Sequence, residues 1–342
     1  MCCCSSWSSG RAASSENDSS SEPENDRARH GDPLVSTAAW LTTLQFAGVS
    51  SLFALSIYAS LWTGVLSLAP VFFGAFSAFT FAYIVGSLGI PPVLAFVVCI
   101  VVGAVIGVVT AALLIRLESH YLAMATIAMV LIGRVLILNL PDFTGGATGT
   151  RVSGDLGTWL WLIGSIVVAG YIMARLGGSR FGLAADAVRE DPAVAETLGI
   201  SPRRIQFIGM ILSGAFGGAA GVLQASFLQY IGPDTFYTHL GFVSLAAVVL
   251  GGAFYWLGPI VGAIVFTILP ELLRGPMGEY DRVVTGVLLV VIIIYMPRGL
   301  VDMRRMRLMR ARWDKRRAAR RGTDPDDTVD TPYEGAKAGA AS

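Results

Sequence analysis

The chain has 342 residues, of which 54% are hydrophobic and only 14% are charged. Soluble globular proteins carry about a quarter charged residues, and the mean hydropathy of +0.63 is far to the apolar side. The composition predicts an integral membrane protein and excludes an ordinary water-soluble domain. The net charge of +1 says little, because the charges are concentrated in a few segments.

Residues 1–35 are rich in Ser, Glu, Asp and Asn, and they lack the apolar stretch of a cleavable signal peptide. We expect a disordered polar tail. Its Cys2, Cys3 and Cys4 have no metal-site spacing, and Cys99 lies in an apolar run typical of a packed thiol. No metal site is expected.

Residues 36–302 are predicted to form an all-α, polytopic transmembrane bundle of about eight to ten spans, since a spanning helix needs about 20 mainly apolar residues. About nine segments meet this criterion: roughly 37–60, 64–86, 91–115, 120–140, 157–175, 205–230, 241–255, 257–273 and 282–297. The seventh and eighth are short and are expected to form a tight helical hairpin or a partly re-entrant pair.

The orientation follows from the basic residues, because positively charged loops stay in the cytoplasm. The segment 298–321 holds eleven of the 25 basic residues, and the loop 175–204 holds five more. An even number of spans separates them, so both are predicted to be cytoplasmic, with the acidic N-terminal tail outside. Residues 303–342 are predicted to be a basic, then acidic, cytoplasmic tail, which serves as a topology anchor or lies as a helix on the anionic leaflet.

Pairs of glycines four residues apart occur in several spans and are interpreted as sites of close helix packing. They are Gly103 with Gly107, Gly214 with Gly218, Gly217 with Gly221, and Gly258 with Gly262.

The charged interior loop is predicted to contain two short helices, at about residues 183–190 and 192–198. Asp191 before Pro192 is a helix-start signal, and Gly199 stands where a helix would end in a left-handed turn. Arg189, Glu190 and Glu196 are expected to face water or a partner. A docking element and a plain solvated loop both fit this pattern.

Four stretches resemble, in order, the permease subunits of ABC importers for branched-chain amino acids, in particular the second of the two homologous permeases. They are "SHYLAMATIAMVLIGRVLILNLPDFTGGATG", "SRFGLAADAVREDPAVAETLGIS", "VVLGGAFYWLGPIVGA" and "YMPRGL", and the likeness covers about residues 45–302. The chain departs from the family pattern at Ala69 and Pro70, where a small and a polar residue are expected.

This resemblance implies a cytoplasmic coupling helix that inserts into an ATPase subunit. The residues assigned to coupling are Arg180, Asp186, Arg189, Glu190, Glu196 and Gly199. It also implies a second homologous permease, two cytoplasmic ATPase subunits that bind ATP and Mg, and an extracytoplasmic solute-binding protein. The chain has no phosphate-binding G-x-x-x-x-G-K-[ST] motif, so we expect no cofactor in it, no enzymatic activity and no nucleic-acid partner, and we place it in the plasma membrane.

The substrate pathway is expected to use polar or backbone-exposing positions within the spans. The candidates are Gly64, Ser67, Tyr121, Thr126, Arg134, Thr144, Gly145, Gly146, Gly251 and Gly252. Helix packing or a turn is the alternative explanation for each. Arg134 is the one charge well inside a predicted span and is a functional candidate, or else its side chain reaches the outer interface.

Three other functions compete with this interpretation. Related ABC permeases move urea, short amides or sugars, so the cargo stays open. An ion-coupled secondary transporter is disfavoured because the spans contain almost no buried Asp or Glu. A membrane-embedded enzyme would need a convergent catalytic group, and the three histidines are scattered.

Overall fold

The computed structural model describes residues 33–114, 116–117, 119–152, 159–277 and 286. The chain divides into two compact units, residues 1–42 and 43–342. In the first unit, the described residues 33–42 are the beginning of a helix. All packing described below is within the second unit.

Six of the described helices are long and apolar enough to cross a membrane, two further apolar helices are shorter, and three are brief. In chain order they are α1 (Pro33–Trp62), α2 (Pro70–Leu88), α3 (Pro92–Leu114), α4 (Ser119–Asn139), α5 (Pro141–Thr144), α6 (Trp159–Gly177), α7 (Arg180–Glu190), α8 (Pro192–Thr197), α9 (Pro202–Leu228), α10 (Thr238–Gly251) and α11 (Leu257–Met277). Two strands, β1 (Thr150–Arg151) and β2 (Tyr230–Ile231), pair antiparallel.

Eight of the nine predicted segments are helices, and the all-α polytopic class is confirmed. The second segment begins at Pro70 and not at residue 64, because the chain between α1 and α2 is not helical. Helix α1 begins at Pro33, so residues 33–35 of the predicted tail are helical. Apart from residue 286, the ninth segment lies outside the described residues, as does the tail 303–342.

Helix α9 is the centre of the bundle and packs against α2 and α3 through glycines. A Cβ atom at Gly103 would lie 2.5 Å from the carbonyl oxygen of Gly214, and one at Gly221 would overlap the backbone of Gly74. Backbones can approach so closely only where side chains are absent, which is how helices associate without a hydrophobic driving force. The predicted glycine packing is confirmed, including Gly258 and Gly262 in the α10–α11 hairpin.

The outer helices α3, α4 and α6 expose much of their apolar surface. Their exposed large side chains include Val97, Val101, Val105, Leu131, Ile132, Val135, Leu160, Val167 and Val168. Contiguous apolar surface of this extent is unfavourable in water and fits lipid. Together with the long apolar helices, it marks a multi-pass membrane protein.

The bundle has two distinguishable ends. Helices α7 and α8 lie just before the start of α9, and strand β2 lies just after its end. A helix of 27 residues is about 40 Å long, which places the two features on opposite sides of a bilayer-sized layer. They are called the α7–α8 end and the β1–β2 end below.

Candidate functional site

Helix α7 is amphipathic and rests on the end of α1. Gly182, Ala185 and Val188 form its buried face, at the three-residue spacing of one helix side. Phe181 packs edge-on against Trp62, the last residue of α1, with ring centroids 5.8 Å apart. Arg180 begins the helix and is exposed.

The junction between α7 and α8 has the predicted cap. Asp191 Oδ1 accepts hydrogen bonds from the backbone N–H groups of Ala193 (2.8 Å) and Val194 (3.2 Å). Pro192 follows at the first helical position, where its missing N–H costs nothing. Gly199 has φ +79°, the left-handed conformation that ends α8. The two predicted short helices are confirmed, with α7 beginning earlier, at Arg180.

One face of the α7–α8 pair is exposed and mixes charge with apolar surface. Glu190 and Glu196 are exposed, as predicted. Leu183, Val194 and Leu198 are 72%, 55% and 70% exposed. Large apolar side chains beside charges are typical of protein contact sites. These three residues were not predicted from the sequence as contact residues. The signal that could have identified them is the presence of large apolar side chains in an otherwise polar pair of helices.

The other face is tied to two separate parts of the bundle. Trp62 Nε1 donates to Asp186 Oδ1 at 2.9 Å. Arg189 Nη1 donates to the carbonyl oxygen of Ala253 at 2.6 Å, and its guanidinium lies 4.7 Å from the ring centroid of Phe254. The expectation that Arg189 faces water or a partner is therefore wrong: it binds the turn between α10 and α11.

A non-helical stretch, residues 63–69, separates α1 from α2 and lies directly against α7. Gly64 has φ +85°, and a Cβ there would be 3.5 Å from the Cα of Arg189. Such a conformation is strained for residues with side chains. Gly64, predicted to line the substrate pathway, thus lies at the contact with α7.

The hydroxyl groups of two residues predicted to line the substrate pathway accept hydrogen bonds from backbone N–H groups of this stretch. Thr126 Oγ1 accepts from the N–H of Leu68 at 3.2 Å, and Ser67 Oγ accepts from the N–H of Ala69 at 3.2 Å. Both side chains are fully buried. Backbone without helical hydrogen bonds is tolerated at membrane depth only where it is buried in protein or lines a cavity. Gly64, Ser67 and Thr126 are therefore brought together by one break in the helical structure.

Thr144, Gly145 and Gly146 join α5 to a short 3-10 helix, Gly146–Thr148, at the β1–β2 end. Thr144 Oγ1 donates to the carbonyl oxygen of Ile137 in α4 at 2.6 Å, which holds the turn on that helix. The hydroxyl of Tyr230 in β2 donates to the carbonyl oxygen of Thr148 at 2.6 Å. These three candidates lie at the opposite end of the bundle from Gly64.

Arg134 lies near the β1–β2 end of α4 and is ion-paired. Its Nη2 donates to Asp234 Oδ1 at 2.7 Å, and the two side chains are 38% and 77% exposed. The guanidinium carbon is 5.0 Å from the ring centroid of Tyr237, whereas the buried Nε has no acceptor among the described residues. An exposed ion pair contributes only about 0–1 kcal/mol, so this pair adds little to the stability of the chain.

The remaining pathway candidates lie at the turn between α10 and α11, which Arg189 contacts, and near the start of α4. Gly251 and Gly252 end α10, where Gly251 lies in backbone contact with Gly258 of α11. This close approach accounts for Gly251 through packing. Tyr121 is 64% exposed near the start of α4.

Across the described ranges, no group of three or more His, Cys, Asp or Glu side chains could hold a metal ion.

Comparison with known proteins identifies the family. The family model described as "Branched-chain amino acid transport system / permease component" matches residues 40–293. This range contains every site residue described above. The chain belongs to this permease family.

Individual members of the branched-chain permease family are also similar to this chain in sequence. The chain is 31% identical over 285 residues to the high-affinity branched-chain amino acid transport system permease protein LivM of Escherichia coli K12, covering 72% of this chain and 66% of LivM. It is 27% identical to a probable LivH of Methanocaldococcus jannaschii, over 64% of this chain and 78% of that protein. The match thus spans slightly less than two thirds of LivM.

A shorter match is to a permease named for a different cargo. The chain is 38% identical over 71 residues to the guanosine ABC transporter permease protein NupQ of Bacillus subtilis, which is 21% of this chain and 22% of NupQ. No solved structure matches the chain.

Proposed function

We propose that this chain is the membrane permease subunit of an ABC importer for branched-chain amino acids. The observation that carries the proposal is the double attachment of α7, through Asp186 to the end of α1 and through Arg189 to the α10–α11 turn. A helix outside the spans that holds two separate membrane elements is suited to move them together. This is the mechanical arrangement that an importer without its own ATP site requires.

The exposed face of α7 and α8 would be the docking surface for a cytoplasmic ATPase subunit. Leu183, Val194 and Leu198 supply apolar contact area, and Glu190 and Glu196 flank it. ATP and Mg²⁺ would bind in two such ATPase subunits, and this chain would act as a transport subunit and not as an enzyme. A short capped helix transmits displacement because it bends less than an extended loop.

The substrate pathway would follow the helix break and the segments that touch it. Leu68 in the break lies 3.0 Å from the position of a Cβ at Gly241 of α10, and Gly64 lies against α7. Movement of α7 would therefore reach the break from one side and α10 from the other. Alternating access would arise from rocking of these parts relative to the α2–α3–α9 core.

The proposal includes a cell-membrane location with the α7–α8 end and the C-terminus in the cytoplasm, as the basic segments favour. Its partners would be a second, homologous permease, two ATPase subunits and an extracytoplasmic solute-binding protein, within the lipid bilayer. The names of LivM and LivH, two permease proteins of branched-chain amino acid transport systems, support a paired assembly.

The experiment is uptake of labelled L-leucine into proteoliposomes that contain the full chain with its co-expressed partner subunits. We expect uptake that needs ATP hydrolysis, persists when ionophores remove proton and sodium gradients, and is inhibited by isoleucine and valine. Guanosine, urea and glucose serve as competitors that test the other cargo classes. Uptake that continues without ATP and stops with ionophores would refute an ABC mechanism, and inhibition by guanosine alone would refute the amino-acid cargo.

A further inference from the structure

We propose that Arg134, Asp234 and Tyr237 form a subsite for the zwitterionic head group of an α-amino acid, at the β1–β2 end of the pathway. The inference rests on the proposed function and names how its cargo is recognised. It depends on three residues from two distant parts of the chain, since Asp234 is 100 positions from Arg134.

The Arg134–Asp234 pair is incompletely satisfied. One guanidinium nitrogen, Nη2, binds a single oxygen of Asp234, while the buried Nε has no acceptor among the described residues. Buried donors in native proteins are normally paired. A guanidinium carries five N–H donors arranged to hold a carboxylate by two parallel hydrogen bonds. The buried Nε is closed to a ligand, but the guanidinium is partly exposed and binds Asp234 through Nη2 alone, so its terminal nitrogens can reach a second carboxylate.

The surroundings keep the two charges in place but do not close over them. Tyr237 lies against the guanidinium at 5.0 Å, a cation–π distance. Asp234 follows the β2 strand in a turn where Thr235 Oγ1 accepts from the N–H of Gly232 at 3.1 Å. The side chain of Asp234 is 77% exposed, so a ligand can reach its carboxylate without unfolding the turn.

The chemistry of this group matches an amino acid that carries both charges on one carbon. The ligand carboxylate would bind Arg134 in bidentate fashion, and the ligand ammonium would bind Asp234. The internal pair is exchanged for two pairs with the ligand, so the net charge of the site stays zero. A molecule that lacks either charge would leave one of the two protein charges without a partner, which selects against it.

The location is consistent with entry to the pathway. Tyr237 immediately precedes α10, and Gly241 of the same helix packs on Leu68 in the helix break. A ligand bound at Arg134 and Asp234 would thus contact the element that leads to the break. The proposed subsite and the coupling helix α7 lie at opposite ends of this route.

The test compares initial rates of L-leucine uptake by the complete complex with wild-type chain, Arg134→Lys and Asp234→Asn. Arg134→Lys keeps the positive charge and an ion pair with Asp234 but removes the bidentate fork. We expect it to lower uptake about tenfold at sub-saturating leucine, which corresponds to about 1.4 kcal/mol, and to raise the half-saturating concentration. Arg151→Lys, at an exposed arginine of β1, is the matched control and should transport as the wild type does.

A second measurement reads binding directly and does not depend on the transport rate. A diazirine analogue of leucine, which keeps both charges, should label the segment 234–237 of the assembled full chain. L-leucine should suppress this labelling, whereas leucinamide, which has no carboxylate, should not. Both variants should lose the labelling while their membrane insertion and the ATPase activity of the complex are retained.

The outcomes separate the subsite from the proposed function. If the wild-type complex takes up no leucine, the amino-acid cargo is wrong and the subsite with it. If the wild type takes up leucine and Arg134→Lys matches it in rate and labelling, the ion pair is only structural and the subsite alone is refuted. Equal suppression by leucinamide and leucine would also refute it.

Discussion

Replacing Arg189 by Ala should uncouple transport from ATP hydrolysis without dissociating the ATPase subunits from the complex. The substitution removes the hydrogen bond to the carbonyl oxygen of Ala253 and the contact with the ring of Phe254. A hydrogen bond from a charged donor contributes about 1.5–3 kcal/mol, and an exposed cation–π contact adds about 0.5–1 kcal/mol. Because the side chain is partly exposed, we take about 2 kcal/mol, which predicts about a 30-fold fall in transport per ATP hydrolysed.

The assay measures leucine uptake and ATP hydrolysis in the same proteoliposomes, together with co-purification of the ATPase subunits. Arg189→Ala should retain co-purification, since its partners are within the chain. Leu198→Ser, on the exposed face of α8, should instead weaken co-purification. Phe254→Ala isolates the ring contact and should lower the ratio only about two- to fivefold. The reasoning fails if Arg189→Ala transports normally, or if it releases the ATPase as Leu198→Ser does.

Two further predictions concern the attachment of α1 and the packing of the core. Trp62→Phe keeps the aromatic packing and removes the hydrogen bond to Asp186, so uptake should fall about fivefold. Asp186→Asn keeps an acceptor oxygen, so uptake should fall less. A larger loss of uptake with Asp186→Asn than with Trp62→Phe would contradict the role of this bond. Gly221→Ala places a methyl group where it overlaps the backbone of Gly74, so the free energy of unfolding should fall by about 1–3 kcal/mol. Thermal unfolding in detergent measures this change. An unchanged unfolding midpoint would contradict the close packing of these two glycines.

The helices of this chain could be predicted because hydropathy and helix caps are local signals. The apolar segments gave eight helices close to their observed bounds, and the Asp191–Pro192 pair correctly marked the junction of α7 and α8. The coupling role of this loop follows from the family resemblance and stays a prediction. The helices and the cap depend on neighbouring residues, which a single sequence contains.

The contacts that give the site its geometry could not be predicted in this way. The break at residues 63–69 is as apolar as a helix, and it is satisfied by Thr126, which is far along the chain. Arg189 binds a backbone carbonyl, and an acceptor of that kind has no sequence signature. Asp234 was not predicted as a partner of Arg134, because acidic residues are common in turns. The two side chains are brought within hydrogen-bond distance only by the fold.

The glycine contacts between α9 and its neighbours limit which parts of the molecule can rearrange. Helices α2, α3 and α9 touch backbone to backbone at Gly74, Gly103, Gly214 and Gly221, and surfaces this close cannot slide without collision. They form a fixed frame, and the α10–α11 hairpin, joined through its own glycines, is a second rigid piece. Any opening of the transporter then has to occur at the interface between the α2–α3–α9 frame and the α10–α11 hairpin. At this interface the contacts are made by side chains such as Leu68, and not by backbone atoms alone.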